Sequence, residues 1–238
     1  MRHLQTLRRA KRVNRESFLV ALAQGKKVLH VGCVDAGLLD DRLANDSWLH
    51  TKLEGTSVEL WGLDSDTEGV RRLKGAGFQH VIAGSAESPP KEIPREYFDL
   101  VVAGEVIEHV RNPGLFLDAA ARLVAPGGVL VITTPNALRF YNPVTALLGR
   151  ELIHPEHLSW YSPYTLRSAV EAGPFVVENL YVYTSIPLAR LKGVVNPIKW
   201  SARVAYNIGV SAAHSVLVTL FPHVSDGLIL VGRPSIRR

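Results

Sequence analysis

Glu105, Glu108 and His109 fall within one short stretch, Glu-Val-Ile-Glu-His, directly after the apolar run Phe98 to Gly104. At i, i+3 and i+4 their side chains point to one side if the chain turns helically there. Two carboxylates this close repel unless something cationic lies between them. Carboxylate oxygens with an imidazole suit a six-coordinate Mg2+ or Mn2+, Zn2+ being admissible, and leave room for water or substrate oxygens. A fourth ligand is then needed, and the segment Ile153 to Ser162 offers His157, ahead of His154. With Glu108 beside it, His109 is also a candidate catalytic base, although a nitrogen bound to metal cannot serve as one. The competing reading makes the acid–histidine pair a plain pocket wall.

These residues need a scaffold. From Lys27 onward, apolar runs of strand length alternate with helical stretches, the pattern of a parallel sheet covered on both sides. Val28–Val31, Val58–Leu63, His80–Ala83, Phe98–Ala103 and Gly128–Thr133 are predicted as the first five strands, with helices at Leu38–Leu53, Glu68–Lys74 and Pro113–Leu123. Ser162 as N-cap and Pro163 at the first position open a helix ending at Gly173; strands follow at Phe175–Thr184 and Gly227–Val231. The expectation is a single α/β domain over residues 1–238: a Rossmann-like seven-stranded sheet with helices on both faces and the last strand antiparallel. Residues 1–26 form an N-terminal helical extension, 27–136 the core, and 137–238 an acceptor-side region. The latter contains a helical insertion, 186–224, before the last strand. Val204 to Ser225 carries no Asp, Glu, Lys or Arg, but Asn207, Gly209 and His214 interrupt it. A membrane span between two strands of one sheet would tear the fold apart. A buried or dimer-forming helix is therefore expected, with a surface that meets a lipid-linked substrate as the alternative.

The first strand runs into Gly32-Cys33-Val34-Asp35-Ala36-Gly37, a turn whose backbone N–H groups a ligand can approach. Val34 occupies the middle glycine of the dinucleotide pattern, which argues against a nicotinamide oxidoreductase. The second strand ends in Asp64, placed to grip a ribose diol, unless it, Ser65 or Asp66 caps the next helix. Gly84-Ser85-Ala86-Glu87 follows the third strand, and Ala125-Pro126-Gly127-Gly128 makes a turn before the fifth.

In this order the segments resemble those of class I S-adenosylmethionine-dependent methyltransferases, over roughly Lys27 to Asn136 and the two late strands. The resemblance implies S-adenosyl-L-methionine as cofactor, with Gly32 and Gly37 beneath its amino-acid part. Asp64 would hold its ribose and Ser85, Ala86 and Glu87 would lie near its adenine, while Cys33, Ser65 and Gly104 complete the contacts. The Glu-Val-Ile-Glu-His stretch, with His157 and Trp160, further resembles two branches: the small-RNA 2′-O-methyltransferases and the ubiquinone-pathway O-methyltransferases. They imply an acceptor with two adjacent hydroxyls and a metal, Mg2+ or alternatively Mn2+ or Zn2+, on Glu105, Glu108, His109 and His157. The family usually has an acid where His30 stands and more glycine where Val34 and Ala36 stand. These departures put cofactor affinity in question and keep a catalytically silent, cofactor-binding subunit open.

Of 238 residues 47% are hydrophobic, enough for one large core, and the single cysteine, Cys33, suits a reducing, cytoplasmic compartment. The net charge of +5 comes largely from the chain ends, where Arg8, Arg9, Lys11, Arg12 and Arg15 read as a solvated face; nucleic-acid binding is permitted but not indicated. A sugar or glycan hydroxyl is the expected acceptor, with Trp160, Tyr161 and Tyr164 as stacking partners. A catechol or quinone precursor and an RNA ribose are the alternatives.

Overall fold

A computed structural model describes residues 4–7, 10–35, 39–44, 47–185 and 197–235. The strands are β1 (Lys11–Arg12), β2 (Lys27–Val31), β3 (Glu59–Asp64), β4 (Val81–Ala83), β5 (Phe98–Gly104), β6 (Val124–Pro135), β7 (Phe175–Tyr183) and β8 (Gly227–Pro234). The helices are α1 (Arg15–Ala23), α2 (Leu39–Ala44), α3 (Leu49–Glu54), α4 (Thr67–Gly75), α5 (Pro113–Leu123), α6 (Tyr141–Leu147), α7 (Pro163–Glu171) and α8 (Pro197–Leu220). One sheet runs β1-β7-β8-β6-β5-β2-β3-β4, with β8 antiparallel to both β6 and β7 and every other pair parallel.

The α/β architecture and the antiparallel last strand are as expected, but among the described residues the strands number eight. The addition is β1, two exposed cationic residues paired with Tyr181 and Val182 at the sheet edge. No hydrophobic alternation announces such a strand, and its charges guard the edge against further pairing. The helix expected over Leu38–Leu53 is two, α2 and α3, because the chain extends at Trp48 to bury the indole and donate its Nε1–H to the Cys33 carbonyl at 2.8 Å. The turn expected at Ala125 to Gly128 lies inside β6, as an irregularity where the register with β5 shifts between Phe98 and Leu100. There Gly127 has φ +83, and a β-carbon on Gly128 would meet the Phe98 carbonyl at 2.8 Å. The loose connection after Asn136 contains α6, which no apolar periodicity foretold. Within the expected insertion, residues 186–196 lie outside the described residues, and the rest forms α8 followed by a 3-10 turn at Pro222–Val224. Among the described residues no helix is long and apolar enough to cross a membrane.

Both sheet faces are buried, which is why the central strands are nearly continuous in Val, Leu and Ile. On one face Phe116, Leu117 and Ala120 of α5 and Leu166 and Val170 of α7 pack on Leu29, Val101 and Leu230. On the other, Leu19 and Ala23 of α1 and Leu53 of α3 cover Val28, Leu100 and Val131. Ser162 caps α7 as the sequence suggests, in a reciprocal box with Thr165, and Asn112, for which no cap was expected, accepts from Leu115 N–H at the start of α5.

Candidate functional site

The chain leaves β2 toward β3 and β4 in one direction and returns through β5 and β6 in the other, so the carboxyl ends of β2 and β5 form the switch point where open α/β sheets bind ligands. Gly32 and Gly104 flank it. Gly32 has φ +77, and a β-carbon there would lie 2.7 Å from Val106 Cγ2 and 3.5 Å from the Gly104 carbonyl. Only glycine keeps that gap open.

Val34, in the place where glycine was expected, does not fill the cleft. Its side chain is buried with Cys33, Trp48, Val70 and Leu73, beneath α4, in space that Gly69 of that helix leaves vacant. Asp35 takes the left-handed conformation, φ 57, and pairs with Arg42. Ala36 and Gly37 lie outside the described residues. The Cys33 thiol sits in the core, where burial pushes its pKa up, so that its main chain is what is left to meet a ligand. His30 is buried and its Nδ1 lies 3.2 Å from Nδ1 of His50. One ring must therefore carry its proton on Nδ1 and the other be bare there. Burial lowers both pKa values, that of His50 to about 4.

Asp66, not Asp64, caps α4, accepting from Glu68 and Gly69 N–H. Asp64 is left at the cleft, accepting from Val34 N–H at 2.8 Å and Asp66 N–H at 2.9 Å. Each oxygen retains a lone pair for a hydroxyl donor. Ser65 and Ser85 are exposed and Ala86 half-buried. Glu87 accepts from the Arg111 and Asn112 amides at 2.7 and 3.1 Å, tying the loop after β4 to the start of α5.

Glu105 parts company with Glu108 and His109. Its φ is 57, so the chain does not continue as a regular helix, and its carboxylate turns to the β7 side. Oε1 accepts from Tyr183 Oη at 2.6 Å and from Thr133 Oγ1 at 3.0 Å. Thr133 in turn accepts from Arg15 Nε at 3.0 Å, and the Arg15 guanidinium lies against Gly104. Arg15 is thus no solvated-face cation but a positive charge set into the cleft by the first turn of α1. Neither it nor Tyr183 bears a motif in the sequence; a lone arginine at a helix start was the sole signal.

Glu108, His109 and His157 do converge. Each offers a ligand atom, and these atoms all lie within 4.8 Å of one another; among the described residues no other such group of three or more occurs. Far apart in sequence, they are joined because the Leu158 and Ser159 amides donate to the Glu108 carbonyl at 2.7 and 3.2 Å. The imidazoles of His109 and His157 meet edge to face, 4.6 Å between centroids, with His154 5.5 Å from His157. Thr134 Oγ1 donates to Oε2 of Glu108 at 3.0 Å, while Oε1 is buried without a partner among the described residues. Burial, then the Glu105 charge, pushes the Glu108 pKa up to about 8. Burial and the neighbouring histidines His109 and His154 bring His157 down to about 4.

Beside the cluster a small pocket, with a cavity volume of about 10 Å3, is lined by Thr134, Asn136, Arg139, Asn142, His157 and Trp160. Arg139 donates through Nε to Asn142 Oδ1 at 2.8 Å and lies over the Trp160 ring, 5.9 Å from its centroid; burial lowers its pKa. The expected stacking platform is not assembled. Tyr161 is buried, and Trp160 already faces a guanidinium.

A sheet with this switch point, a glycine-gapped cleft and a ribose-ready acid defines a protein that binds a nucleoside-bearing cofactor beside a second pocket. The chain belongs to the methyltransferase-domain family, which it matches over residues 1–180. Its fold is that of S-adenosylmethionine-dependent methyltransferases: one from Archaeoglobus fulgidus superposes with a TM-score of 0.54 at 17% identity, covering 91% of this chain and 93% of that one. Another, from Mesorhizobium loti, gives 0.54 at 14% identity over 92% and 95%. In sequence the chain is similar to the ubiquinone biosynthesis O-methyltransferase of Rhodopseudomonas palustris (strain TIE-1), 30% identical over 145 residues, 60% of this chain and 53% of that protein. The protein of that name from Dechloromonas aromatica (strain RCB) is 33% identical over 138 residues, 54% and 52%. The chain thus spans about half the length of these curated relatives.

Proposed function

We propose that the protein transfers the methyl group of S-adenosylmethionine to one hydroxyl of a vicinal diol, with a catechol as the acceptor class. One observation carries this reading: a buried, unpartnered carboxylate oxygen of Glu108 stands beside two imidazoles at the edge of the second pocket. An orphaned buried acceptor costs about 1–3 kcal/mol, so a site that keeps one is shaped for a partner. Glu108, His109 and His157 fit a divalent cation in that place. With one carboxylate and two imidazoles, and Glu105 occupied elsewhere, the donor set suits Mn2+ or Zn2+ better than Mg2+. Bound there, such an ion would supply Lewis acidity, lowering the pKa of an acceptor hydroxyl.

The chain's own residues do the rest. Arg15, lying against Gly104, offers its guanidinium to the carboxylate of the cofactor's amino-acid part. Asp64 accepts the ribose hydroxyls. His157, neutral at pH 7, keeps one bare ring nitrogen for the cation, and holding the two reactants in line removes much of the orientational cost of transfer. The catechol class is preferred to a sugar because the curated relatives are named for ubiquinone biosynthesis and because Trp160 is engaged by Arg139.

The test is incubation with methyl-labelled S-adenosylmethionine and a catechol, a sugar diol or RNA, each with EDTA or with added Mn2+. Label in the catechol that EDTA abolishes supports the reading. Label in the sugar or RNA alone reassigns the acceptor, and tight cofactor binding with no transfer makes the protein a silent cofactor-binding subunit.

A further inference from the structure

The long helix α8 is built inside out. Its buried side carries Asn207 and His214 along with Val218, whereas Ile208, Val216 and Leu220 are 65%, 59% and 67% exposed and Phe221 follows at 57%. The polar side is anchored: the His214 ring stacks on Tyr141 at 5.6 Å, and its Nε2 lies 3.3 Å from Asp226 Oδ1. The same hold ties α6 to the end of α8. Phe140 N–H donates to the Val224 carbonyl at 3.1 Å, and Asn136 Nδ2 donates to the His223 and Ser225 carbonyls at 2.8 Å each. From α6, Val144 and Leu147 are 40% and 88% exposed. Large apolar side chains so gathered on neighbouring elements are not what a solvated surface presents.

Two cations stand beside this face. Lys11 and Arg12 of β1 are exposed and line a groove of about 410 Å3 with Val218, Thr219 and Pro222 at the end of α8. Residues 197–225 contain no Asp or Glu. A second copy of the chain would set Lys11 and Arg12 against an α8 that has no acidic residue of its own. An anionic bilayer neutralises them and receives the apolar side chains, as it does for helices that lie in the membrane interface.

We propose that the outward faces of α6 and α8, with Lys11 and Arg12, dock on an anionic lipid surface. Asn136, Arg139 and Asn142 line the acceptor pocket on the segment that leads into and through α6, so docking sets the mouth of that pocket beside the membrane. The surface stands independently of the acceptor assigned above.

Flotation of the full chain with phosphatidylcholine vesicles, with and without phosphatidylglycerol, tests it. Binding to the anionic vesicles is expected to exceed that to neutral ones by about tenfold and to fall with added salt. The pair Leu147→Glu and Leu220→Glu, at exposed positions, abolishes it, and Lys11→Glu with Arg12→Glu weakens it about tenfold, while circular dichroism and S-adenosylmethionine binding stay unchanged. Equal binding to both vesicle types, or anionic binding that the leucine variants leave intact, overturns the proposal. So does a dimer in sedimentation velocity that Leu220→Glu dissociates, since a second copy then covers the face.

Discussion

Gly69 of α4 lies directly beneath Val34, so that a β-carbon on Gly69 would overlap Cγ1 of Val34. The valine that breaks the glycine pattern of the cofactor turn is thus accommodated by a glycine elsewhere, and the cleft stays open. In a helix interior Gly→Ala ordinarily stabilises by about 1 kcal/mol. Here the sign reverses: Gly69→Ala is expected to cost about 1–3 kcal/mol by overpacking, and less in a Val34→Ala background. Urea denaturation of the two single variants and the double checks this; a stabilised Gly69→Ala overturns it.

The His30–His50 pair makes stability depend on pH. Both folded pKa values are lowered from about 6.5, that of His50 to about 4, so between these values the unfolded chain binds the more protons. Their contribution is complete above pH 6.5 and is lost as pH falls toward the folded values. From pH 7.5 to 5, His50 alone should withdraw about 2 kcal/mol. Denaturant unfolding across that range, with His50→Gln as the flatter curve, measures it.

Glu108→Gln separates a site residue from a folding residue. With its pKa near 8 the side chain is neutral at pH 7 without a cation, and glutamine keeps the acceptor that Thr134 uses. The variant should hold its thermal midpoint but lose any stabilisation by Mn2+ or Zn2+, along with about a hundredfold in transfer. Thermal melts with and without the ions distinguish this from a wall role, in which neither quantity moves.

Arg15→Ala should weaken S-adenosylmethionine binding by about tenfold or more, since a charge-assisted hydrogen bond is worth about 1.5–3 kcal/mol. Calorimetry at two salt concentrations gives the value. A variant that binds with unchanged affinity removes Arg15 from the cofactor's contacts.

The legible parts of this fold are those where local chemistry and tertiary demand agree. Phe98 to Gly104 and Pro113 to Leu123 carry an apolar run and a capped amphipathic helix that their surroundings merely confirm. Asp64 could be placed from its position at the end of β3. The convergence of Glu108 and His109 with His157 was expected, but the departure of Glu105 was not, because it depends on a left-handed φ and on Tyr183, a partner supplied by β7. His50 and Arg15 were equally out of reach: each owes its role to what a separate element brings alongside. The pairing of Lys11 and Arg12 with β7 has no local signature, since cations give no strand alternation.

The amides of Leu158 and Ser159 reach the carbonyl of Glu108 across a long interval of chain, over which β6 and α6 must first take their places. Such a closure belongs to the late, high-contact-order part of folding, and a compact intermediate with loose side chains would lack the carboxylate–imidazole triad altogether. Any ion that the triad captures therefore gauges finished packing, and refolding followed by its capture should lag behind recovery of helical content.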